Sequence, residues 1–240
     1  MKLIVSGATG FVGKEVIRQS LSRREITSVV ALARKPAPAP EDLGDDGDPS
    51  KLKSVVVIDY EDYPDEVKRE FSGASACIWT VAITPTKSKM YDFDEVKRVC
   101  QTSTLAGLRA MHDAGPARPF RFLYTSGAGV ERDQSKTPRF YGQYSLMRGE
   151  TENQILSLAA ELGGIEVGFA RPGLITRPGA IVRSVLATAL GWAVGIHSIS
   201  VTDLAAVMLD QAIKGFEKEP LMPGDLARLA ERRSEVSVDA

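Results

Sequence analysis

The chain of 240 residues is 43% hydrophobic and 25% charged, which is the composition of an ordinary soluble globule large enough for one α/β domain. Thirty basic and thirty-one acidic residues leave a net charge of −1, which excludes the one-signed field that draws proteins to nucleic acid or to anionic membranes. The two cysteines, Cys77 and Cys100, lack CxxC spacing and a histidine cluster. We therefore expect neither a metal site nor a disulfide, and we treat both thiols as core residues.

Hydrophobic runs alternate with helical patterns along most of the chain, which is typical of a parallel sheet with crossover helices. Strands are predicted at Leu3–Ser6, Ser28–Ala33, Ser54–Asp59, Ala76–Ile83, Phe120–Thr125 and Ile165–Ala170. Helices are predicted between them at Phe11–Ser22, Asp65–Phe71, Asp92–Ala114 and Phe140–Leu162. Most of the strands are continuous apolar runs, as expected where helices cover both faces of a sheet. The sequence therefore predicts the α/β class and a doubly wound parallel sheet, in which ligands bind beyond the carboxyl ends of the strands.

A glycine-rich loop, Gly7-Ala8-Thr9-Gly10-Phe11-Val12-Gly13, joins the first predicted strand to the first predicted helix. Gly7 permits a tight turn, Gly10 lets the backbone approach phosphates without a Cβ in the way, and Gly13 allows close packing of helix on sheet. The helix N-terminus offers unpaired N–H groups and partial positive charge to an anion. We therefore predict a dinucleotide pyrophosphate site formed by Gly7, Thr9, Gly10, Phe11, Val12 and Gly13.

The GxxGxxG spacing of this loop resembles that of the short-chain dehydrogenase/reductase superfamily, in its extended and atypical branches. Leu123–Ala128 is similar to the family's fifth strand, which ends in the active-site serine, and Arg148–Glu152 resembles the Lys-Gly-Glu-x-Glu segment of atypical members. Arg171–Gly173 resembles the loop after the sixth strand, which implies that Pro172 contacts the cofactor. The resemblance covers about residues 1–215 and implies a Rossmann fold that holds a nicotinamide dinucleotide.

The end of the second predicted strand bears on the choice of cofactor. It lacks the Asp or Glu that commonly binds the ribose 2′-hydroxyl of NAD, and Arg34 stands there instead. A guanidinium fork is well shaped for a 2′-phosphate, so we predict NADP, with a solvated surface arginine as the alternative. Asp59 and Tyr60 match the place where the family's Asp–hydrophobic pair flanks adenine.

The segment from Lys35 to Lys53 is rich in proline and in acidic residues. This composition cannot bury enough surface to become ordered, so the sequence predicts a mobile loop near the adenosine end of the cofactor. We expect a solvated insertion, and a functional lid is the alternative.

The resemblance implies three catalytic residues: a tyrosine that transfers a proton, a lysine four residues later and a serine that steadies the substrate oxygen. Here Tyr144 is followed at four residues by Arg148, and Ser126 ends the fifth strand. Tyr141, Tyr144 and Arg148 fall at i, i+3 and i+7, which predicts one face of a helix. We predict Tyr144, Ser126 and Arg148 as catalytic, and a surface stack of Tyr144 on Arg148 is the alternative. Tyr141 is the less suitable acid, because Ser145 follows it at four residues and carries no charge.

After the sixth strand, the sequence of residues 174–215 predicts a small substrate cap. The cap belongs to a single domain of residues 1–240. Helices are predicted at Ile181–Val194 and Thr202–Lys214, an extended piece at Ile196–Val201 and a partly helical tail at Gly224–Arg233. The expected ligand is largely hydrophobic, with contacts from Ile175, Ile181, Leu186 and Trp192. His197 in the cap is a better functional candidate than His112, although each is more often an ordinary structural residue.

These residues support three hypotheses about function. The first is an NADP-dependent oxidoreductase that acts on a carbonyl or alcohol of a small, largely hydrophobic molecule, with Tyr144 handling the proton. The second is a non-redox isomerase, epimerase or cyclase that uses the same tyrosine. The third is a non-catalytic, NADP(H)-binding regulatory protein, which would also account for Arg148 in place of lysine.

The sequence also predicts surroundings and partners. Met1-Lys2 leads straight into a strand without a secretory signal, and residues 180–196 are shorter than the roughly 20 residues of a membrane span. We therefore expect a cytoplasmic protein whose partner is a small-molecule substrate, with no nucleic acid and no membrane. A homodimer is left open.

Overall fold

A computed structural model describes residues 1–177 and 198–238 of this protein, with side chains described to residue 235. Six parallel strands lie in the spatial order β3-β2-β1-β4-β5-β6. They are β1 (Lys2–Ser6), β2 (Ser28–Ala33), β3 (Leu52–Val56), β4 (Ala76–Trp79), β5 (Phe120–Thr125) and β6 (Ile165–Ala170). The order reverses between β1 and β4, which opens a crevice at their carboxyl ends. The predicted α/β class and doubly wound sheet are confirmed.

Helices pack on both faces of this sheet. They are α1 (Phe11–Leu21), α2 (Asp65–Phe71), α3 (Pro85–Ser88), α4 (Phe93–Lys97), α5 (Ser103–Asp113), α6 (Gly142–Leu162), α7 (Val201–Lys214) and α8 (Pro223–Val238). One face of the sheet packs against α1, α7 and α8, and the other packs against α2, α5 and α6. All four residues of β4 are buried, as the continuous apolar run predicted.

Two strands are shorter than predicted at their carboxyl ends. β4 ends at Trp79, because its neighbour β1 ends at Ser6, which is paired with Trp79. β3 ends at Val56, because it is the edge strand and its neighbour β2 ends at Ala33, paired with Val56. Strand length was therefore decided by the neighbouring strand, and the apolar residues beyond each end belong to the loops that form the crevice.

The single helix predicted at Asp92–Ala114 is interrupted by a π-helical turn at Arg98–Thr102. The carbonyl of Cys100 accepts hydrogen bonds from the hydroxyl of Tyr124 at 3.1 Å and from Thr104 Oγ1 at 3.0 Å. Side-chain donors that insert into the hydrogen-bond ladder of a helix widen it locally, which is the usual origin of such a turn.

The segment Lys35–Lys53 is irregular until a short 3₁₀ helix at its carboxyl end. The N–H of Ala37 donates to Ser54 Oγ at 2.9 Å, and the N–H of Asp48 donates to the carbonyl of Leu21 at 3.2 Å. These contacts attach the segment to the sheet and to α1 at two points. Its predicted mobility stays a prediction.

The C-terminal part adds a small two-stranded parallel sheet, β7 (Leu174–Thr176) with β8 (Ser198–Ser200), where an extended piece was predicted. The tail is a longer helix than predicted, and Leu226 of α8 is fully buried in the core. The predicted helix Ile181–Val194 and the candidates Ile181, Leu186, Trp192 and His197 lie outside the described residues. Within residues 1–177 and 198–238, no helix combines the length and apolar character needed to cross a membrane. The substrate cap and the cytoplasmic location stay predictions.

The loop after β5 passes very close to α6 at Gly149, and this contact leads to a prediction about stability. A Cβ on Gly149 would lie 1.7 Å from the carbonyl oxygen of Glu131, so Gly149→Ala must displace that loop. We expect the free energy of unfolding to fall by about 1–3 kcal/mol. Gly142 lies in the same helix with nothing within 4 Å of its Cβ position, so Gly142→Ala should be neutral or stabilise by about 0.4–1 kcal/mol. Urea unfolding followed by circular dichroism measures both, and equal stability of the two variants would contradict the prediction.

Candidate cofactor cradle and active site

The glycine loop turns tightly at the carboxyl end of β1. Gly7 has φ +79°, and its N–H donates to the carbonyl of Leu32 at 3.0 Å. A Cβ on Gly7 would lie 2.5 Å from Thr80 Oγ1, and a Cβ on Gly13 would lie 2.3 Å from the Gly7 carbonyl oxygen. For Gly10 the nearest atom to a Cβ is the same oxygen at 3.0 Å. The fold itself thus requires glycine at 7 and 13, and it constrains position 10 less severely.

The hydroxyl of Tyr60 holds this turn through two hydrogen bonds. Its hydroxyl donates to the Leu32 carbonyl at 3.1 Å and accepts from the Gly7 N–H at 3.3 Å. Burial raises the pKa of Tyr60 to about 12, so the phenol is neutral. Its ring packs edge-on against Trp79 with the ring centres 5.6 Å apart. The structure therefore gives Tyr60 a role beneath the loop, and its predicted contact with adenine stays a prediction.

Arg34 and Asp59 lie at the carboxyl ends of β2 and β3. Arg34 is exposed and forms no ion pair with the described part of the chain. Asp59 is exposed and lies 3.5 Å from Arg98, but Arg98 also pairs with Glu61 at 3.0 Å and Glu95 at 2.7 Å. Arg98 thus forms ion pairs with three carboxylates, whereas Arg34 forms no salt bridge with the described residues.

A cleft of about 780 Å³ lies along the glycine loop and the first turns of α1. Its lining includes Thr9, Phe11, Lys14, Arg18, Arg177 and the segment from Ala37 to Asp42. A larger cleft of about 1180 Å³ lies at the other end of the sheet, and its lining includes Arg121 and Glu166 near the start of β5 and β6. Because ligands of doubly wound sheets bind at the carboxyl ends of the strands, we assign cofactor binding to the smaller cleft and the adjoining crevice.

Tyr144 lies near the start of α6 and is half-buried. Its hydroxyl donates to the carbonyl of Ile83 at 2.9 Å, in the loop that follows β4. Burial raises the pKa of Tyr144, and the nearby charge of Arg148 lowers it in part. The raised pKa means that the phenol carries its proton at neutral pH.

Arg148 is buried behind Tyr144, with an exposed fraction of only 2%. Nη2 donates to the carbonyl of Thr125 at 2.5 Å, and the guanidinium lies 4.6 Å from the ring centre of Tyr124. No carboxylate of the described residues pairs with it, and Nη1 is buried without a hydrogen-bond partner there. The surface stack considered as an alternative is therefore wrong, because the cation lies inside the protein.

Ser126 follows β5 and is held by β6, since its N–H donates to the carbonyl of Ala170 at 2.7 Å. Its Oγ, Thr125 Oγ1 and Arg148 Nη1 are buried and have no hydrogen-bond partner among the described residues. A buried polar group left unpaired costs about 1–3 kcal/mol, so three of them at one strand end point to a candidate site. Ser126 and Arg148 thus meet at the end of β5, with Tyr144 one turn from Arg148 on α6, and the catalytic roles of the three residues stay predictions.

Tyr141 does not share the face of Tyr144. It precedes the helix in the left-handed conformation with φ 49°, and its side chain is exposed. The prediction that Tyr141, Tyr144 and Arg148 share one face of a helix is thus wrong for Tyr141, because α6 begins at Gly142.

His112 is a half-buried residue near the end of α5, and its Nδ1 lies 3.4 Å from Oδ1 of the neighbouring Asp113.

A buried ion cluster joins two segments that the sequence analysis singled out separately. Glu152 is fully buried and accepts from Arg171 Nε at 3.0 Å and from Arg132 Nε at 2.7 Å. Arg171 also donates to the carbonyl of Val130 at 3.2 Å. The cluster ties α6, the loop after β5 and the loop after β6 around the site.

Arg132 was not predicted, since nothing near it in the sequence distinguishes it from a surface arginine. Pro172 accepts from the N–H of Ala128 at 3.0 Å within the same region.

The strand order and the glycine turn into α1 define a dinucleotide-binding Rossmann protein with the architecture of the extended short-chain dehydrogenases/reductases. The resemblance stated from the sequence is confirmed. The NAD(P)H-binding family model matches residues 7–214, and the chain belongs to this family.

Known proteins agree with this assignment at the level of the fold. MoeE5 in complex with UDP-glucuronic acid and NAD is 19% identical with a TM-score of 0.66, over 92% of this chain and 75% of that one. Vestitone reductase from alfalfa (Medicago sativa L.) is 16% identical with a TM-score of 0.63, over 91% of this chain and 75% of that one. Leucinostatins biosynthesis cluster protein T of Purpureocillium lilacinum is 26% identical over 131 residues, which are 54% of this chain. That match spans only 44% of the length of the Purpureocillium lilacinum protein.

The glycine loop of residues 7–13 and the N-terminus of α1 lead to a prediction about dinucleotide binding. Gly10→Val should weaken dinucleotide binding by about 100-fold or more, because a branched side chain would fill the space beside the N-terminus of α1 where the pyrophosphate makes charged hydrogen bonds. Titration calorimetry measures the affinity. The control is Gly224→Val in α8, where a Cβ meets nothing within 4 Å. Unchanged affinity in a folded Gly10→Val variant would mean that the loop is only a structural turn.

Proposed function

We propose that this protein is an NADPH-dependent reductase that acts on a carbonyl group of a small, largely hydrophobic molecule. The observation that carries the proposal is the phenol of Tyr144, which burial keeps protonated at the carboxyl ends of the strands with the charge of Arg148 behind it. Reduction of a carbonyl requires an acid at this place, and a phenol with a raised pKa is an acid at neutral pH. Vestitone reductase and the PhqB reductase domain from Penicillium fellutanum share the fold, which supports this class of reaction.

The residues present fit a dinucleotide. The turn at Gly7 and the absence of a side chain at Gly10 leave the N-terminus of α1 free for a pyrophosphate. Arg34 favours NADP over NAD, because it is an exposed cation at the end of β2 that forms no salt bridge with a described carboxylate. When bound, the reduced nicotinamide supplies the hydride for the carbonyl carbon.

The protein's own residues would handle the oxygen of the substrate. Ser126 Oγ has an unused hydrogen bond and would donate it to the carbonyl oxygen. The hydroxyl of Tyr144 would turn from the Ile83 carbonyl and give its proton to the same oxygen as the hydride reaches the carbon. The phenolate that remains is stabilised by the permanent charge of Arg148 until solvent returns the proton.

The choice of nucleotide can be tested at Arg34. We expect the wild type to bind NADP(H) more tightly than NAD(H), and Arg34→Ala to lose about 10- to 150-fold in affinity for NADP(H) only, since a hydrogen bond to a charged group contributes roughly 1.5–3 kcal/mol. Arg69→Ala removes an exposed arginine from α2 and should change neither affinity. Titration calorimetry with both nucleotides decides, and equal affinities in the wild type would refute the assignment of NADP.

The acid can be tested at Tyr144. Tyr144→Phe should lower NADPH oxidation with an aldehyde substrate by about 10²- to 10⁴-fold, the usual contribution of a positioned acid. Tyr63→Phe is the matched control, because the hydroxyl of Tyr63 is buried without a hydrogen-bond partner among the described residues. Full activity of Tyr144→Phe would exclude the proposed chemistry.

The same tyrosine gives the expected dependence on pH. Its phenolate absorbance, obtained as wild type minus Tyr144→Phe, should develop above pH about 10, because burial raises the pKa. Arg148→Met should move the transition to higher pH, since the lost cation had lowered the pKa, whereas Arg148→Lys should leave it nearly unchanged. A shift to lower pH in Arg148→Met would contradict the electrostatic role of Arg148.

A second candidate function is a non-catalytic NADP(H)-binding protein. The burial of Arg148 favours it, because a guanidinium bound to the Thr125 carbonyl and stacked on Tyr124 is not presented to a ribose hydroxyl as a lysine would be. Normal nucleotide binding together with no turnover in wild type and no effect of Tyr144→Phe would favour this candidate. Substrate conversion without a change in nicotinamide absorbance would instead favour a non-redox isomerase.

A further inference from the structure

Two segments of the chain, one shortly after Ile83 and one just before α6, carry exposed apolar side chains, and we call them together the rim. The first segment, Lys87–Tyr91, follows Ile83, whose carbonyl accepts the hydrogen bond of Tyr144. The second, Arg139–Tyr141, directly precedes α6. The exposed fractions are 79% for Met90, 51% for Tyr91, 71% for Phe140 and 43% for Tyr141. Large apolar groups exposed together beside a candidate active site indicate a binding surface.

One cation–ring contact joins the two segments of the rim: Lys89 Nζ of the first lies 5.2 Å from the ring centre of Tyr141 in the second. Within the second segment, the guanidinium of Arg139 lies 5.9 Å from the ring centre of Phe140. Both distances are within the range of cation–π attraction. The rim is therefore a joint surface of aromatic rings and positive charge.

Tyr141 is strained although its ring is not needed by the core. It is the only non-glycine residue of the described chain with a positive φ, at 49°. A residue other than glycine in this conformation is costly, and such strain persists mainly at binding and active sites. Because the ring is exposed, core packing does not compensate for the strain, and a role in binding does account for it.

The rim also carries unneutralised positive charge. Lys87, Lys89 and Arg139 are exposed, and none of them forms a salt bridge with a carboxylate in residues 1–177 or 198–235. An apolar ligand that covered these cations would remove water from them without replacing it. A ligand with an anionic group would form ion pairs with these cations, so their charge favours an anionic ligand over a purely apolar one.

We propose that the rim binds the substrate of this site, and that the substrate combines an aromatic or extended apolar body with an anionic group such as a carboxylate, sulfonate or phosphate. The rings of Tyr91, Phe140 and Tyr141 contact the body, and Lys89 and Arg139 pair with the anion. The identity of this ligand as a substrate rests on the proposed reductase function, but its binding does not.

A second copy of the chain is the competing occupant. In a twofold-symmetric dimer the same patch is used by both copies, so the cations of both rims would be brought into one interface. Like charges placed opposite each other in an interface are unfavourable. The charge of the rim therefore favours a small anionic ligand over self-association.

A matched pair of fluorescent probes tests the rim without turnover. 8-Anilino-1-naphthalenesulfonate and N-phenyl-1-naphthylamine share one aromatic body, and only the first carries an anion. Both are titrated against the full chain saturated with NADP⁺. We expect about tenfold tighter binding of the sulfonate, and loss of most of that preference in Lys89→Gln/Arg139→Gln, since an exposed ion pair contributes up to about fivefold. Lys53→Gln on the edge strand β3 removes a distant surface charge and should change nothing.

Tyr141→Gly separates binding from folding. Glycine accepts the left-handed conformation, so this variant should be as stable as the wild type or more stable in thermal unfolding, and yet bind both probes more weakly. Equal binding of the two probes by the wild type overturns the proposal, as does a Lys89→Gln/Arg139→Gln variant that behaves like Lys53→Gln. A wild-type dimer in sedimentation that Tyr141→Gly converts into a monomer also overturns it, in favour of a second copy.

Turnover distinguishes failure of the rim from failure of the reductase function. NADPH oxidation is compared for 4-carboxybenzaldehyde and 4-methylbenzaldehyde. We expect a lower KM for the carboxylate in the wild type and not in Lys89→Gln/Arg139→Gln. If neither aldehyde reacts while the probe results hold, the reductase function fails and the rim stands. If both react with equal KM and the probes bind equally, the rim fails and the reductase function stands.

Discussion

The site depends on one backbone turn at the carboxyl end of β1, where only glycine fits. Gly7 has φ +79°, and a Cβ there would lie 2.5 Å from Thr80 Oγ1. Because β1 lies between β2 and β4, both neighbours contact the turn: the Leu32 carbonyl accepts the Gly7 N–H, and Thr80 Oγ1 donates to the Ser6 carbonyl at 2.7 Å. The turn directs the N-terminus of α1 into the crevice, and a dinucleotide site follows from this geometry.

The proposed chemistry of the site depends on a buried positive charge that no carboxylate of the described residues neutralises. Arg148 is held by a backbone carbonyl and by the ring of Tyr124, which offset only part of the cost of removing a cation from water. Glu152 lies one turn further along α6, but two other arginines engage its carboxylate. The charge of Arg148 therefore acts on the Tyr144 phenol through the low dielectric of the interior, where it is felt strongly.

Much of the fold could be predicted from local patterns. Continuous apolar runs located all six strands of the main sheet, and a glycine loop between the first strand and the first helix located the crevice. The ends of β4 and the π-helical turn around Cys100 could not be predicted in this way. The first depends on where β1 ends, and the second depends on a hydrogen bond from Tyr124, which is 24 residues away in the chain.

The same division holds for the site. The sequence by itself determined the glycine cradle, the pairing of Tyr144 with a cation four residues later and the family, because each of these is encoded by residue type and spacing. Only the tertiary structure decided that Arg148 is buried and that Tyr141 leaves the helix and joins the rim. The reason is physical: burial, hydrogen-bond partners and the start of α6 are set by strands and loops that are distant in sequence. The periodicity of one helix contains no information about those contacts.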